Sequence, residues 1–598
     1  MLKPSNSGRV LVLGEDTRNF LAVIRSLGRS GLDVHVAWCP LNSPALKSKY
    51  IRRCHILPEY RSDDAGWLEA FNALLREEQF ELILPCTDGT ILPLQMFREQ
   101  LEDGGRTCLL PADVYRICAS KDETYRLASQ LEIPLPAQLS ASTIGEVRTA
   151  AADFGYPLVL KPRTSSSVVN PLSRQAVRKI RRPEDLESAA QAMLGQGEIL
   201  VQQNFMGRGV GVEVLCKNGE ILTAFQHERV HEPLLGGGSS YRKSVPLHPG
   251  MLDATHRLIR ELRYTGVAMV EYKYNPATGA WVLIEINARF WGSLPLSIAA
   301  GLDFPRYLYE MLCRDRTDFP QQYRTGLYAR HWSLDLQWML DNLRADHSNP
   351  DLLTVPWLKV ASEIWNIVRL RERSDTFVWD DPKPAVADLA GFCEQMTFAV
   401  AKRVSLLRKW GRRRAHRAGR GARNVLFVCH GNICRSPFAA AALARIARER
   451  LTVASAGYFP KAQRRAPDAA VTAAAKFGID LEAHRSALVT LADTEAADVI
   501  FVFDRANIDA LTARFPQARS KMHLLGALDP SGPLEISDPY GGSVGQFLNC
   551  YARILRILQD LFGKDCPAKT SGARSQLLEP SADAGEQDFV RLPRGAGY

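Results

Sequence analysis

Six positions after Cys429 stands Arg435, and His430-Gly431-Asn432-Ile433-Cys434 between them make a loop that runs on into Ser436-Pro437. A thiolate, a guanidinium and a hydroxyl at this spacing can carry phosphoryl transfer to sulfur. Residues 424–429 (NVLFVC) have the apolar run of a buried strand and an Ala-rich helical run follows, so the loop lies at a strand-to-helix turn. There successive backbone N–H groups can point inward as an anion nest, and the helix N-terminus adds its positive end. That field stabilises the Cys429 thiolate and holds phosphate oxygens, Arg435 adds a bidentate fork, and Ser436 can donate to the sulfur. Gly431 and Asn432 suit the positive φ values such a loop demands. The leaving oxygen needs a proton, and Ile536-Ser537-Asp538-Pro539-Tyr540 offers Asp538 on a Pro-stiffened loop. Asp538 would act first as acid and then as the base for the water that hydrolyses a cysteinyl phosphate. A bare Cys-x5-Arg arises by chance in a chain with 12 cysteines, and a strand-end cysteine is often simply buried. Arg435, Ser436 and Asp538 together point to chemistry instead.

Carboxylates form a second constellation. Val270-Glu271-Tyr272-Lys273-Tyr274, a turn through Asn275-Pro276-Ala277-Thr278-Gly279 and Val282-Leu283-Ile284-Glu285-Ile286-Asn287 read as a hairpin centred near residue 278. Glu271 and Glu285 are equidistant from that centre and should face each other across the ladder, with Asn287 and Arg289 on the same side by period two. Like charges directly opposite repel. A divalent cation resolves the conflict, and these hard oxygen ligands suit Mg²⁺ (or Mn²⁺) bridging nucleotide phosphates. A plain charged hairpin edge is the alternative. Neighbouring segments favour the metal: Lys121 opens a helix capped by Ser120 and Glu123, Lys161 ends the strand-like run 156–161 (YPLVLK), and 200–205 (LVQQNF) offers backbone at Gln203, Asn204 and Phe205 for an adenine edge.

These residues need scaffolds. Residues 9–14 (RVLVLG) read as a buried strand, followed by a helix through Phe20, Leu21, Ile24 and Leu27 and strands at 34–38 and 81–85. Residues 1–115 are therefore expected to form an alternating βα domain, and without GxGxxG after its first strand it is not a dinucleotide site. The helix from Ser120 and strands at 156–161, 199–203, 211–215, 268–274 and 281–286 make 116–325 an α+β unit. Residues 326–423 read as a helical region ending in a basic linker, with no chemistry assigned. A new βα pattern occupies 424–565, and 566–598, rich in Ser, Gly, Pro and acids, reads as a disordered tail.

Residues 424 to about 563 resemble the low-molecular-weight protein tyrosine phosphatases, through VCHGNICRSP, Ser455-Ala456-Gly457, Gly478-Ile479-Asp480 followed by His484-Arg485-Ser486, and Asp538-Pro539-Tyr540. The resemblance implies a flavodoxin-like three-layer fold, Cys429 as nucleophile, Arg435 as phosphate binder and Asp538 as general acid. It further implies that Asn432 and Ser455 brace the loop, and that Cys434 can form a reversible disulfide with Cys429 that guards the nucleophile. No cofactor is expected there, and the implied substrate is a phosphotyrosine protein, a bacterial tyrosine kinase among the candidates. Tyr458 stands where bacterial members often carry Thr, and Gly541-Gly542 follow Tyr540 where animal members carry another aromatic, so substrate preference stays open. Arsenate reductases of the same fold need further cysteines downstream, and none stands between Cys434 and Cys550.

Residues 1 to about 325 resemble the ATP-grasp superfamily, through Lys121, Lys161, the run 200–205 and Ile284-Glu285-Ile286-Asn287-Ala288-Arg289. The resemblance implies ATP held between two α+β lobes, phosphates on Lys121 and Lys161, and Mg²⁺ on Glu271, Glu285 and Asn287. Arg289 would steady the transferred phosphate or carboxylate, and an acyl phosphate would be attacked by an amine, so the implied substrates are a small carboxylate and an amine. Arg163-Thr164-Ser165-Ser166-Ser167 replaces the usual glycine-rich flap, and Leu235-Gly236-Gly237-Gly238 is a candidate second loop. The whole is an α/β multidomain chain with two open readings: a bifunctional ligase-like enzyme and phosphatase, or a phosphatase with a non-catalytic ATP-binding regulatory module.

Composition bounds these readings. With 598 residues, 46% hydrophobic and 23% charged, the chain can fill several cores. Its sequence has no run of ~18 uninterrupted apolar residues, it enters its first strand without a signal-like segment, and its cysteines form no disulfide framework. A cytoplasmic setting fits. Of the net charge of +10, the run 402–423 carries ten Lys and Arg and no acid, which leaves the remainder near neutrality and argues against nucleic acid. That run, with Leu406, Leu407 and Trp410, reads either as a membrane-peripheral element on anionic lipid or as a solvated helix and linker.

Overall fold

A computed structural model describes residues 8–563 apart from 15–16, 59, 61–65, 163–176, 196, 350–351, 403 and 460. The serine run after Lys161 and the tail beyond 563 lie outside these residues.

The first domain is a parallel sheet of β1 (Arg9–Leu13), β2 (Asp33–Ala37), β3 (Ile51–His55), β4 (Leu82–Pro85) and β5 (Arg106–Thr107), in the order β3-β2-β1-β4-β5. Its central strand is a continuous apolar run because helices cover both faces of a parallel sheet. One of them, Asn19–Arg29, is buried along its whole inner length and carries Arg25 into the interior, where Nε pairs with Asp381 Oδ2 at 3.0 Å. Ser48 and the Lys49 amide hold the same carboxylate. Trp379-Asp380-Asp381-Pro382, which the sequence marks only as a helix break, is thus a clamp onto this domain.

The second unit has two antiparallel lobes. In the small one, β6 (Gln138–Ala141), β7 (Leu158–Pro162), β8 (Arg178–Ile180) and β9 (Ile199–Gln203) take the order β6-β9-β7-β8 and support the helices Ile144–Phe154 and Pro183–Leu194. The large lobe contains β10 (Arg208–Lys217), β11 (Glu220–His231), β12 (Tyr241–Ser244), β13 (Gly266–Tyr274) and β14 (Trp281–Asn287), in the order β14-β13-β10-β11-β12. This sheet does not end at 325. β15 (Tyr328–Arg330) joins β12, and β16 (Glu372–Ser374) pairs with β15 in parallel. The expected helical region 326–423 therefore contributes two strands to the large lobe; three-residue strands are too short to show a period.

The last domain is a parallel sheet of β17 (Asn424–Cys429), β18 (Thr452–Gly457), β19 (Val499–Val502) and β20 (Met522–Leu524), in the order β18-β17-β19-β20. Helices Arg435–Ala447, Asp468–Ala475 and Val544–Phe562 pack on one face and Arg505–Arg514 on the other, giving three layers. The chain reverses its direction of travel across the sheet at β17, and α/β sheets bind ligands outside the carboxyl ends of strands at such a point. Cys429 ends that strand. The Arg-rich segment is a helix, Ser405–Gly421, but not a free linker. Ala415 is buried in the core of this last domain, and a Cβ on Gly419 would meet Leu561 Cδ2 at 2.7 Å.

Candidate active sites

The loop after β17 is braced from inside. Cys429 Sγ lies 3.1 Å from Ser436 Oγ, and Asn432 Nδ2 donates to Ser436 Oγ and Ser455 Oγ, both at 3.0 Å. Asn432 takes a φ of 51°, accepts the Ala487 amide on its side-chain oxygen and receives His484 Nε2 on its carbonyl at 2.7 Å. Its positive φ agrees with the sequence expectation, whereas Gly431 does not take a positive φ, and a Cβ there would first meet the movable end of the Arg464 side chain, at 2.8 Å. Gly457 is more constrained still, since a Cβ would sit 2.7–2.9 Å from backbone atoms of residues 430–432. Cys429 and Cys434 are both free thiols, and burial with the nearby Asp538 charge pushes Cys434 far above the usual cysteine range.

Arg435 is 1% exposed and its fork is fully directed. Nη1 donates to Asp504 Oδ2 at 2.6 Å and to the Ile536 carbonyl at 2.9 Å; Nη2 donates to Asp538 Oδ2 at 2.7 Å. Nε is buried without a partner among the described residues, a donor left for an oxyanion. At the mouth, the Tyr458 ring stands edge-on to His430 and Tyr540 is exposed.

The second site spans the two lobes. Glu271 on β13 lies directly opposite Glu285 on β14, and the register slips between this pair and the turn, where Tyr272 faces Leu283. Asn287 Nδ2 donates to Glu285 Oε1 at 3.0 Å, and Arg229 Nη2 pairs with Glu271 Oε2 at 2.7 Å. Burial pushes Glu271 up, opposed by Arg229. Burial also acts on Glu285, but Lys121, the Asn287 hydrogen bond, Lys161 and Arg289 outweigh it and hold that carboxyl low. Lys161, at the end of β7 in the small lobe, is lowered to about 8 by burial and by Lys121. Ser120 caps the Lys121–Gln130 helix by accepting the Glu123 amide. Hard oxygens on Glu271, Glu285 and Asn287 beside two lysines form a donor set that fits a Mg²⁺ and nucleotide phosphates.

Residues 424–571 match the family model "Low molecular weight phosphotyrosine protein phosphatase". The Sus scrofa enzyme of that description is 34% identical over 151 residues, 24% of this chain and 95% of its own length. The chain belongs to the low-molecular-weight phosphotyrosine protein phosphatase family. Wzb of Escherichia coli K12, a low-molecular-weight protein-tyrosine-phosphatase, is 35% identical over 133 residues, 22% of this chain and 88% of its own. Residues 196–332 match a second model, "ATP-grasp in the biosynthetic pathway with Ter operon". A biotin carboxylase structure from Campylobacter jejuni overlays with a TM-score of 0.44 at 12% identity, covering 54% of this chain and 74% of that one. One chain thus joins an ATP-grasp module to a phosphatase domain.

In the phosphatase domain Cys429, Asn432, Cys434, Arg435, Ser436, Ser455 and Asp538 converge as expected from their order. Asp504 was not foreseen; it is the N-cap of the Arg505–Arg514 helix, and a capping aspartate carries no sign that it also holds an arginine. In the ATP-grasp module Arg289 lies beyond the strand that carries Glu285 and Asn287, and its charge reaches Glu285. β14 ends at Asn287, so alternation does not extend to it, and its guanidinium is held bidentately by Asp88 of the first domain at 2.7 and 2.9 Å. The backbone run meant for adenine is partly engaged: the Gln203 amide donates to the Ala137 carbonyl and the Phe205 carbonyl receives Lys273 Nζ at 3.3 Å, while Asn204 Nδ2 contacts Met206 Sδ. Arg229 and Lys273 were missed. Arg229 also donates to the Gly237 carbonyl of the glycine loop. One further cluster, His35, His55 and Glu78, brings ligand-type atoms together, but Glu78 pairs with Arg9 and Arg53, so a cation there would meet two guanidinium groups.

Proposed function

We propose that this protein is a bifunctional enzyme, a cysteine-dependent protein tyrosine phosphatase joined to an ATP- and Mg²⁺-dependent carboxylate–amine ligase. On the phosphatase side, Cys429 attacks phosphorus while Arg435 and the loop amides hold the equatorial oxygens. Asp538 gives its proton to the leaving tyrosyl oxygen and then accepts one from the water that cleaves the S–P bond, releasing phosphate. Ser436 steadies the thiolate, and Asn432 and Ser455 keep the loop in shape. A peroxide would oxidise Cys429 to the sulfenic acid, Cys434 would displace water from it to close a disulfide, and a thiol reductant would reopen it.

The observation that carries the ATP-grasp half is the direct opposition of Glu271 and Glu285 on one lobe facing Lys161 on the other. Glu271, Glu285 and Asn287 would hold the metal, which when bound neutralises phosphate charge. Lys121 and Lys161 would orient the phosphates. The two lobes would exclude water while a carboxylate takes the γ-phosphoryl group and an amine displaces it. The Arg229–Glu271 pair favours a second reading, in which a ligand carboxylate is already compensated and ATP regulates the phosphatase without turnover. ADP release from the full chain against a library of carboxylates and amines tests the proposal. ADP formation that depends on both partners supports a ligase, and ATP binding with no ADP from any combination leaves the sensor.

A further inference from the structure

Two short helices, Trp357–Ser362 and Ile364–Val368, precede β16 at the outer end of the large sheet, and their burial is inverted. The groups that face the protein are Val360, Glu363 and Asn366. Glu363 is 7% exposed; it receives Arg330 Nη2 at 3.0 Å and lies 2.9 Å from His231 Nε2, and Asn366 Nδ2 donates to the Tyr241 hydroxyl at 2.9 Å. The groups that face outward are Trp357, Leu358, Ile364, Trp365, Val368 and Leu370, with Leu358 87% and Trp365 56% exposed. A surface helix normally buries its apolar stripe and solvates its charges. Here the acid is inside and the tryptophans are outside, and an apolar surface of this length marks a docking site.

Charge identifies what docks. The exposed ionic side chains between 356 and 373 are Lys359, Arg369, Arg371 and Arg373, whereas the two acids of the span, Glu363 and Glu372, are drawn inward onto Arg330. Indole and aliphatic groups interleaved with cations, with no exposed acid among them, match the interface of an anionic bilayer, where tryptophan lies at headgroup level and guanidinium meets phosphate. No described helix is long and apolar enough to cross a membrane. The Arg-rich helix Ser405–Gly421, the sequence's candidate for this contact, turns its small residues into the phosphatase core, and its strongly exposed apolar groups, Leu406 and Trp410, lie only near its start. We infer that residues 357–371 dock the protein peripherally on anionic lipid headgroups.

Flotation of the full chain with phosphatidylcholine–phosphatidylglycerol vesicles, and with pure phosphatidylcholine as control, tests this. The protein should float with the anionic vesicles alone, and raised salt should weaken it. The double change Trp357→Ser, Trp365→Ser should lower partitioning by roughly tenfold or more, while an unchanged circular-dichroism spectrum and melting curve of the full chain report an intact large lobe. Arg369→Glu with Arg371→Glu should weaken binding and flatten its salt dependence. Should either variant fail to fold, quenching of tryptophan fluorescence by bromine-labelled lipid in the Trp379→Phe, Trp410→Phe protein reads the same segment with its own indoles in place. Absent flotation and quenching overturn the inference. So does undiminished binding of the folded tryptophan variant, binding lost only when the Ser405–Gly421 helix is neutralised, or a lipid-free dimer that the tryptophan change dissolves.

Discussion

The two sites handle charge in opposite ways. Around Cys429, eight consecutive residues supply the nucleophile, the nest and the arginine, and one sheet edge holds them, so relative movement of domains leaves the geometry intact. Around Glu285, charges come from five elements: lysines on the Lys121–Gln130 helix and β7, glutamates on β13 and β14, and Arg229 on β11. No single segment holds that set together. A local loop gives a site that is complete by itself, whereas a site across two lobes is complete only when they meet, which makes its binding open to control.

The sharpest break should come at sulfur. Cys429→Ser is expected to abolish turnover of aryl phosphates in a stopped assay yet keep oxyanion binding by calorimetry, and Asp538→Ala should slow turnover by ~10² to 10⁴, the usual share of a general acid. A serine variant with full activity would end the phosphatase mechanism. Next comes the metal. Glu285→Gln, or EDTA on the wild type, should weaken ATP binding by roughly 10–100-fold in calorimetry, with little effect on adenosine, because the lost charge acts on cation and phosphates. The phosphatase should be indifferent to both treatments, and ATP affinity unchanged by EDTA would reduce the glutamate pair to a charged hairpin.

A smaller effect is expected at Asp504, which aims Arg435 from outside the substrate. Asp504→Asn should lower kcat/KM roughly tenfold, about 1.4 kcal/mol, and shift the pH profile without removing oxyanion binding; a wild-type profile would show Asp504 to be only a cap. The mildest test is pH. Lys161 is lowered to about 8 by burial and by Lys121, and bound phosphates would raise it again. Binding above that pH must therefore take up a proton, and ATP affinity should fall by up to about tenfold per pH unit from there. The fall should vanish in Lys161→Met. An equally steep decline in that variant would assign it to another group.

Much of this arrangement was legible before any coordinates. β9 and β17 have the bounds their apolar runs indicated, and Glu271 does face Glu285 as their equal spacing about residue 278 suggested, but the ladder achieves this through a register slip between the pair and the turn, where Tyr272 faces Leu283. What stayed hidden depends on tertiary placement. β11, EILTAFQHERVH, lacks a clean alternation because its central part is buried on both faces, so Arg229 could not be assigned to the glutamate side. Arg289 lies past the end of β14, where a period of two no longer applies, so its pairing with Asp88 was hidden although its charge still reaches Glu285.

Glu363 gives the outer helices a mechanical character. His231 and Arg330 meet its carboxylate in the interior, with Trp338 stacked on His231 and Arg330 over the Tyr241 ring. Peeling residues 357–371 away would strip that carboxylate from the buried Arg330 guanidinium and from the His231 ring, a loss of roughly 3–5 kcal/mol for a broken buried pair. That loss opposes local fraying of the segment, whose contacts run to β11, β12 and β15 through His231, Tyr241 and Arg330. Force applied at Trp365 would travel through Glu363 into β11, two residues from Arg229 and hence near Glu271. The segment acts as a handle on the ATP-grasp sheet rather than a tether hanging from it.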